Sequence, residues 1–233
     1  MARSPEDLRV RMVDQVRTKY GVTDERVLAA MRTVPRHLFT EEVANLELVH
    51  DVDRAIPVTG FDPDSITTTV SAPGVVGWML QLLSLSVGDR VLEIGTGSGY
   101  NAALLAELGC DVTTVDIDPT LIAPARRRLR ELGFADVVVV EADGDEGVPS
   151  RAPFDRIVAT VGCNELSPAW FAQLAPKGFL LAPLLDDAGR HPLVRASADG
   201  AREVVGMTGF VRIIGAQADR AHRRGRGSEG VTG

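Results

Sequence analysis

An open, doubly wound, mostly parallel α/β sheet ending in an antiparallel hairpin is the fold class that this sequence predicts. Three observations carry it. From Asp89 onward, short apolar runs alternate with helical patterns. Those runs, such as RVLEI and DVVVVEA, lack polar alternation, as strands buried on both faces do. The final stretch, PLVRASADGAREVVGMTGFVRIIG, does alternate, with Asp199-Gly200 at its centre, and reads as an edge hairpin. A chain of 233 residues, 45% hydrophobic and 24% charged, suffices for one such domain with an added N-terminal helical extension.

The elements follow in order. In SPEDLRVRMVDQVRTKYG, Ser4 caps a helix, Pro5 suits its first turn and Asp7 completes a capping box. Leu8, Met12, Val16 and Tyr20 recur at i+4 on one face, and Gly21 ends the helix. A second helix runs from about Asp24 to Val34 and stops before Pro35. Phe39 to Thr69 reads as irregular, with GFDPDS as a turn signal. APGVVGWMLQLLSL reads as helical despite its glycines, with Val75, Met79 and Leu82 on one face. Then come strand RVLEI, helix GYNAALLAELG, strand DVTTVDI, helix PTLIAPARRRLRELG, and strands DVVVVEA and FDRIVATV. Helix SPAWFAQLA and strand GFLLAPLL precede the hairpin. This alternation predicts βαβ units with right-handed crossovers.

Composition narrows the function classes. A net charge of −7 argues against a nucleic-acid-binding surface. No apolar run approaches a transmembrane length, and MARSPEDLRV has no apolar segment of a secretory signal. Cys110 and Cys163 show neither metal spacing nor a disulfide framework, which suits a reducing cytoplasm. The basic run RAHRRGRG reads as a disordered tail.

The chemistry centres on VLEIGTGSGY, where glycines follow a strand and open a helix. Gly95, Gly97 and Gly99 remove side chains where a ligand touches backbone. Asp116 ends the next strand, 21 residues after Gly95, where a carboxylate can bond ribose hydroxyls. Two ligands compete. A dinucleotide site wants G-x-G-x-x-G, and this chain has Tyr100 at the third glycine position. Glu93, just before the loop, would repel a pyrophosphate and attract a cation. S-adenosylmethionine carries a sulfonium and an ammonium, so Glu93 favours it. Asp143, in EADG, stands where an acid can accept from an adenine amino group, although Asp143-Gly144 also reads as an ordinary turn. Read alone, Ser71 in SAPG is a helix N-cap with Pro73 in the first turn. The histidines His37, His50, His191 and His222 are scattered, and no catalytic base or metal-ligand set stands out. Trp78 and Trp170 read as core residues.

GDRVLEIGTGSGYNAALLAEL closely resembles the core motif of protein-L-isoaspartate O-methyltransferases. VPRHLF, TVSAP, APFDRIVATVGCNELSPAW and LAPKGFLLAPL follow that family's order, and the resemblance spans about residues 25–214. It implies a seven-stranded, Rossmann-like class I methyltransferase sheet, with N-terminal helices and a loop closing over S-adenosyl-L-methionine. It implies methyl transfer to a carboxylate of an isoaspartyl or aspartyl residue in a protein or peptide. It further implies that Thr68, Thr69, Glu93, Gly95, Thr96, Gly97, Gly99, Asp116, Ile117, Asp143 and Gly144 bind the cofactor, and that Ser71 is the active-site hydroxyl. Where the family leads into that serine through a glycine-rich G-x-T-I-S, this chain reads GFDPDSITTTVSAP. That departure leaves open a methyltransferase dedicated to one biosynthetic peptide or small carboxylate. A nicotinamide oxidoreductase and a non-catalytic adenosyl-binding module are the alternatives from other classes.

The expected organisation is residues 1–70 as N-terminal helices and active-site loop, 71–217 as the cofactor-binding domain and 218–233 as a disordered basic tail. The expected protein is a cytoplasmic monomer, free of metal, with a carboxylate-bearing peptide as partner and neither nucleic acid nor membrane.

Overall fold

The structure, a computed structural model, describes residues 3–40, 43, 45–58, 68–210, 215–217 and 220. The GFDPDS turn, most of the approach to Ser71, and the basic run after Arg220 lie outside the described residues.

Helix α1 (Pro5–Tyr20) starts at the expected capping box. The Asp7 N–H donates to Ser4 Oγ at 3.1 Å and the Ser4 N–H to Asp7 Oδ2 at 3.3 Å. Gly21 ends it at φ 65°, a left-handed turn that costs glycine little. Helix α2 (Glu25–Thr33) is capped by Asp24. A 3-10 turn (Arg36–Phe39) leads into the stretch expected to be irregular, which holds a single-turn helix α3 (Leu46–Val49) and two short strands, the second reaching one residue beyond it. Those strands, β1 (Ile56–Pro57) and β2 (Thr69–Val70), pair antiparallel with each other.

Helix α4 (Pro73–Leu82) explains its own glycines. A Cβ at Gly77 would lie 2.8 Å from Val16 Cγ1 and 3.0 Å from Met31 Sδ, and one at Gly74 would enter the Tyr20 ring. Two bare backbone positions let α1 and α2 lie directly on α4. Its buried face is accordingly Val76, Met79 and Leu80, while the expected Val75 and Leu82 are only partly buried.

The seven strands lie in the order β5-β4-β3-β6-β7-β8-β9. Strands β3 (Arg90–Ile94), β4 (Asp111–Asp116), β5 (Val138–Glu141), β6 (Phe154–Ala159) and β7 (Leu174–Pro183) are parallel. Strands β8 (His191–Ser197) and β9 (Arg202–Thr208) add the antiparallel edge hairpin. Helices α5 (Tyr100–Glu107), α6 (Pro119–Glu131) and α7 (Pro168–Ala172) complete the α/β layers. Alternate side chains of β3 feed two cores. Val91 joins the N-terminal helices and α5, and Leu92 and Ile94 join Trp170 and Phe154. Strand order reverses between β3 and β6, the switch point where such sheets bind ligands. Among the described residues no helix is long and apolar enough to cross a membrane, and no group of three acidic, histidine or cysteine side chains is arranged to hold a metal.

The close contact of α1 with α4 is testable. Alanine raises helix propensity by about 1 kcal/mol over glycine, whereas overpacking a core costs about 1–3 kcal/mol. Gly77→Ala should therefore lower unfolding stability by about 1–2 kcal/mol in a urea titration. An unchanged or raised midpoint would mean that α1 recedes freely.

Candidate active site

At the carboxyl ends of β3 and β4 a cleft of about 1020 Å3, its open mouth included, is lined by the glycine loop, the start of α4, and Phe210. The loop is shaped by backbone. Gly95 takes φ 100° and its N–H donates to the Val115 carbonyl at 2.8 Å. A Cβ there would lie 2.9 Å from Thr160 Oγ1, the hydroxyl that donates to the Gly95 carbonyl at 2.8 Å. The Gly97 N–H donates to Asp116 Oδ2 at 2.9 Å, and the Asp118 N–H to Asp116 Oδ1 at 3.1 Å. These two bonds fix the Asp116 carboxylate at the rim of the cleft.

Glu93 is the buried acid of the site, 1% exposed. Parallel register sets it beside Thr114, whose hydroxyl donates to Oε2 at 2.7 Å; Asn101 Nδ2 donates to Oε1 at 2.8 Å. Thr96 Oγ1 lies 2.8 Å from Thr114 Oγ1 and extends the chain. Burial outweighs these bonds and pushes the Glu93 carboxyl up to about 7. A cation in the cleft would reverse that.

Most residues implied by the resemblance meet here. Thr68, Thr69, Ser71, Glu93, Gly95, Thr96, Gly97, Asp116, Ile117 and Gly144 all line the cleft. Two do not. Gly99 takes φ 88° to start α5, and a Cβ would meet Leu129 at 3.3 Å, so it serves helix packing. Asp143 turns its carboxylate to the Asp145 N–H at 2.9 Å and the Ala216 N–H at 2.7 Å, the cap of a turn and a tie to the C-terminal segment. Ser71 is not the cap of α4, because Ala72 occupies that position and its side chain has nothing to donate or accept. The Ser71 side chain is thereby released from that role.

Sequence reading missed the supports. Thr114 could have been found by counting parallel register from Glu93, and Thr160 by its position just after the switch-point strand. Trp170 is core, as expected, and also donates from Nε1 to the Gly144 carbonyl at 2.8 Å, which no motif announces. Of the histidines, His37, His50 and His191 stand outside the cleft wall, and His222 lies outside the described residues. Both cysteines are free thiols. Burial pushes Cys110 up to about 12 and raises Cys163 as well, so neither is a ready nucleophile.

The C-terminal segment reaches the same turn. Gly215 takes φ 93°, and a Cβ there would lie 2.6 Å from Asp143 Oδ2 and 2.9 Å from Ile117 Cδ1. Gln217 is 1% exposed and its Oε1 accepts from the Asn164 N–H at 3.1 Å. Arg220, assigned to the tail by composition, bridges Asp145 at 2.9 Å and Glu165 at 2.8 Å. Two acids fix a residue whose neighbours in sequence are polar and glycine-rich.

Comparison with known proteins places this geometry. The family profile described as protein-L-isoaspartate(D-aspartate) O-methyltransferase matches residues 8–216. The protein-L-isoaspartate O-methyltransferase of Methanoculleus marisnigri is 40% identical over 203 residues, 86% of this chain and 88% of its own length. That of Rhodopseudomonas palustris is 40% identical over 210 residues, 88% of this chain and 93% of its own. A solved structure titled protein-L-isoaspartate O-methyltransferase superposes with a TM-score of 0.82 at 29% identity, covering 94% of this chain and 69% of that one. A Plasmodium falciparum structure, solved with S-adenosyl-L-homocysteine, shares the fold with a TM-score of 0.75 at 17% identity, covering 88% of this chain and 98% of its own.

The Arg220 bridge predicts where the chain becomes dispensable. A partly exposed bridge to two acids adds only modestly to stability, so its loss should move Tm by a few degrees in a domain of this size. A chain ending at Gln217, and Arg220→Ala, should both melt about 2–4 °C lower, while a chain ending at Arg220 keeps its Tm. Equal melting of all three would show that the bridge contributes nothing.

Proposed function

We infer the reaction from one premise: this chain belongs to the protein-L-isoaspartate(D-aspartate) O-methyltransferase family. It is an S-adenosylmethionine-dependent methyltransferase that esterifies the free carboxylate of L-isoaspartyl residues in proteins or peptides. The next backbone nitrogen then attacks the ester carbonyl and displaces methanol, giving a succinimide and so initiating repair. The observation that carries the cofactor reading is Glu93, a buried acid between neutral donors at the base of a glycine loop.

The residues present fit that cofactor. Glu93 faces the cleft where a cationic methionine end gains most. Asp116, pinned by two backbone N–H groups, accepts ribose hydroxyls. Gly95 and Gly97 leave room for the ligand against backbone, and Ile117 and Gly144 flank the adenine end. When bound, S-adenosylmethionine supplies an electrophilic methyl on a sulfonium. The chain itself has little acid–base work. A carboxylate, with a reference pKa near 4, is already ionised at neutral pH and needs orientation for in-line attack. Ser71, in the segment before α4, would hold one acceptor oxygen while the other attacks, with Thr68 and Thr69 beside it on the cofactor. Held by Glu93, Asp116 and the glycine loop, the cofactor would supply the methyl group, the acceptor carboxylate would supply the electron pair of the new C–O bond, and this chain would have no proton to move.

We further place the enzyme in the cytoplasm as a monomer without nucleic-acid or membrane partners. Support comes from two free thiols, Cys163 buried and Cys110 partly buried, and a net charge of −7. General repair is favoured over a single dedicated acceptor because VPRHLF and TVSAP accompany the cofactor motifs in family order.

Three measurements test this reading. Glu93 holds its proton up to about pH 7 in the free protein, and a cation favours its ionised form. Affinity for S-adenosylmethionine should therefore rise as pH increases through 7 and level off above it, with proton release seen by calorimetry in buffers of different ionisation enthalpy. Glu93→Gln should flatten that profile; an unchanged slope would remove Glu93 from the cation site. Ser71→Ala should lower kcat by about ten- to a hundredfold with S-adenosyl-L-homocysteine affinity within about threefold. Loss of affinity instead would make Ser71 a cofactor contact. Finally, mass spectrometry should detect methylation of several unrelated isoaspartyl peptides and none of the matched aspartyl controls. Cofactor binding without turnover on any of them would point to one dedicated acceptor.

A further inference from the structure

Arg36, within VPRHLF, is completely buried. Its Nε donates to the Val49 carbonyl at 2.8 Å and its Nη2 to the Val70 carbonyl at 3.3 Å. Its guanidinium lies 5.0 Å from the centroid of the Tyr100 ring, which Phe39 meets edge-on at 5.4 Å. Nη1 has no partner, and no carboxylate pairs with this side chain among the described residues. Guanidinium remains charged under all ordinary conditions. Burying it without a counter-ion is costly, and an apolar residue of similar size would fill the same space at less cost. Packing alone therefore does not account for an arginine here.

Its contacts give another account. Val70 and Tyr100 both line the cleft, and Arg36 touches both from behind. Val70 immediately precedes Ser71, and Tyr100 is the first residue of α5, directly after the glycine loop. Asp116, Asp118 and Glu93 line the cleft from the sheet side. Thr68, Thr69 and Ser71 line it from the segment before α4, with Thr68 beside Gly97, and the buried cation stands behind Val70 in that segment.

We propose that Arg36 is the positioning residue of the acceptor site: its fork, which donates to the Val49 and Val70 carbonyls, and its contact with Tyr100 set Ser71 against the glycine loop, and its charge favours a carboxylate beside Ser71. The proposal rests on the reading of Ser71 as the acceptor contact. Lysine keeps the charge and loses the planar fork, whereas methionine loses both.

The test is a double-mutant cycle on the full chain with an isoaspartyl peptide. It combines Arg36→Lys and Arg36→Met with Ser71→Ala, and reads kcat, peptide KM, S-adenosyl-L-homocysteine Kd and Tm. Arg36→Lys should lower kcat about tenfold with Kd within about threefold. Arg36→Met should lose at least as much kcat and also raise peptide KM about tenfold, because the charge is gone. In the Ser71→Ala background either change should cost less than about threefold in kcat, since the residue being positioned is absent. A purely structural Arg36 would lower Tm and give effects on kcat that simply multiply with those of Ser71→Ala; that result overturns the proposal. If Ser71→Ala alone leaves kcat unchanged, the Ser71 reading fails first and takes the proposal with it. If Arg36→Met does not fold, the lysine cycle decides. If neither variant binds S-adenosyl-L-homocysteine, Arg36 is a folding residue and the proposal is wrong.

Discussion

The Glu93 carboxylate, sunk into the sheet between Thr114 and Asn101, is the constraint around which the site is arranged. Its place follows from strand register. β3 and β4 run parallel, so Glu93 and Thr114 lie side by side on one face, and Thr96 reaches the same hydroxyl one turn of the loop later. Neutral donors orient the acid without neutralising it. The protein thus keeps a group whose ionisation is suppressed until a cation arrives, and the loop that must admit that cation is built from the next residues of the chain. Glycine at 95 and 97 is required for the same reason, because side chains there would meet Thr160 or crowd Thr68.

The opposite wall depends on elements that the sheet does not supply. Ser71 stands between β2 and α4, and α4 is held down by α1 and α2 through Gly74 and Gly77. Arg36 closes the circuit by reaching the Val70 carbonyl from the 3-10 turn. The N-terminal helices are therefore part of the active site's geometry even though none of their own residues lines the cleft. A boundary at residue 70 describes the sequence better than it describes the packing.

Much of this was legible before any coordinates. The capping box at Ser4 and Asp7, the glycine loop, the acid after the second strand of the sheet and the edge hairpin are signals written within single elements. What escaped was written between elements. Ser71 looked like a helix cap because Pro73 follows, yet the helix begins one residue later than that pattern implies and Ala72 takes the cap. Asp143 looked free to meet adenine because its partner, the Ala216 N–H, is 73 residues away. Arg220 looked like tail because a run of arginine and glycine is disordered unless acids elsewhere receive it, and Asp145 and Glu165 do. Val75 and Leu82 match a helical period, but glycines choose which face of α4 can be approached most closely.

The two buried charges, Glu93 and Arg36, share a cost and divide the cleft. Among the described residues neither is compensated by an ion pair, and burying each carries a cost that the fold alone does not require. On the proposed assignment, the cationic donor is drawn to Glu93 and the anionic acceptor to the wall that Arg36 supports. Salt in solution screens exposed charges over about 8–10 Å but acts much less on buried ones. Charge at these two buried positions would therefore be felt in the cleft at physiological ionic strength. With both reactants ordered by fixed charges, in-line geometry follows from the walls of the cleft, which is why a site with no general base is sufficient for this transfer.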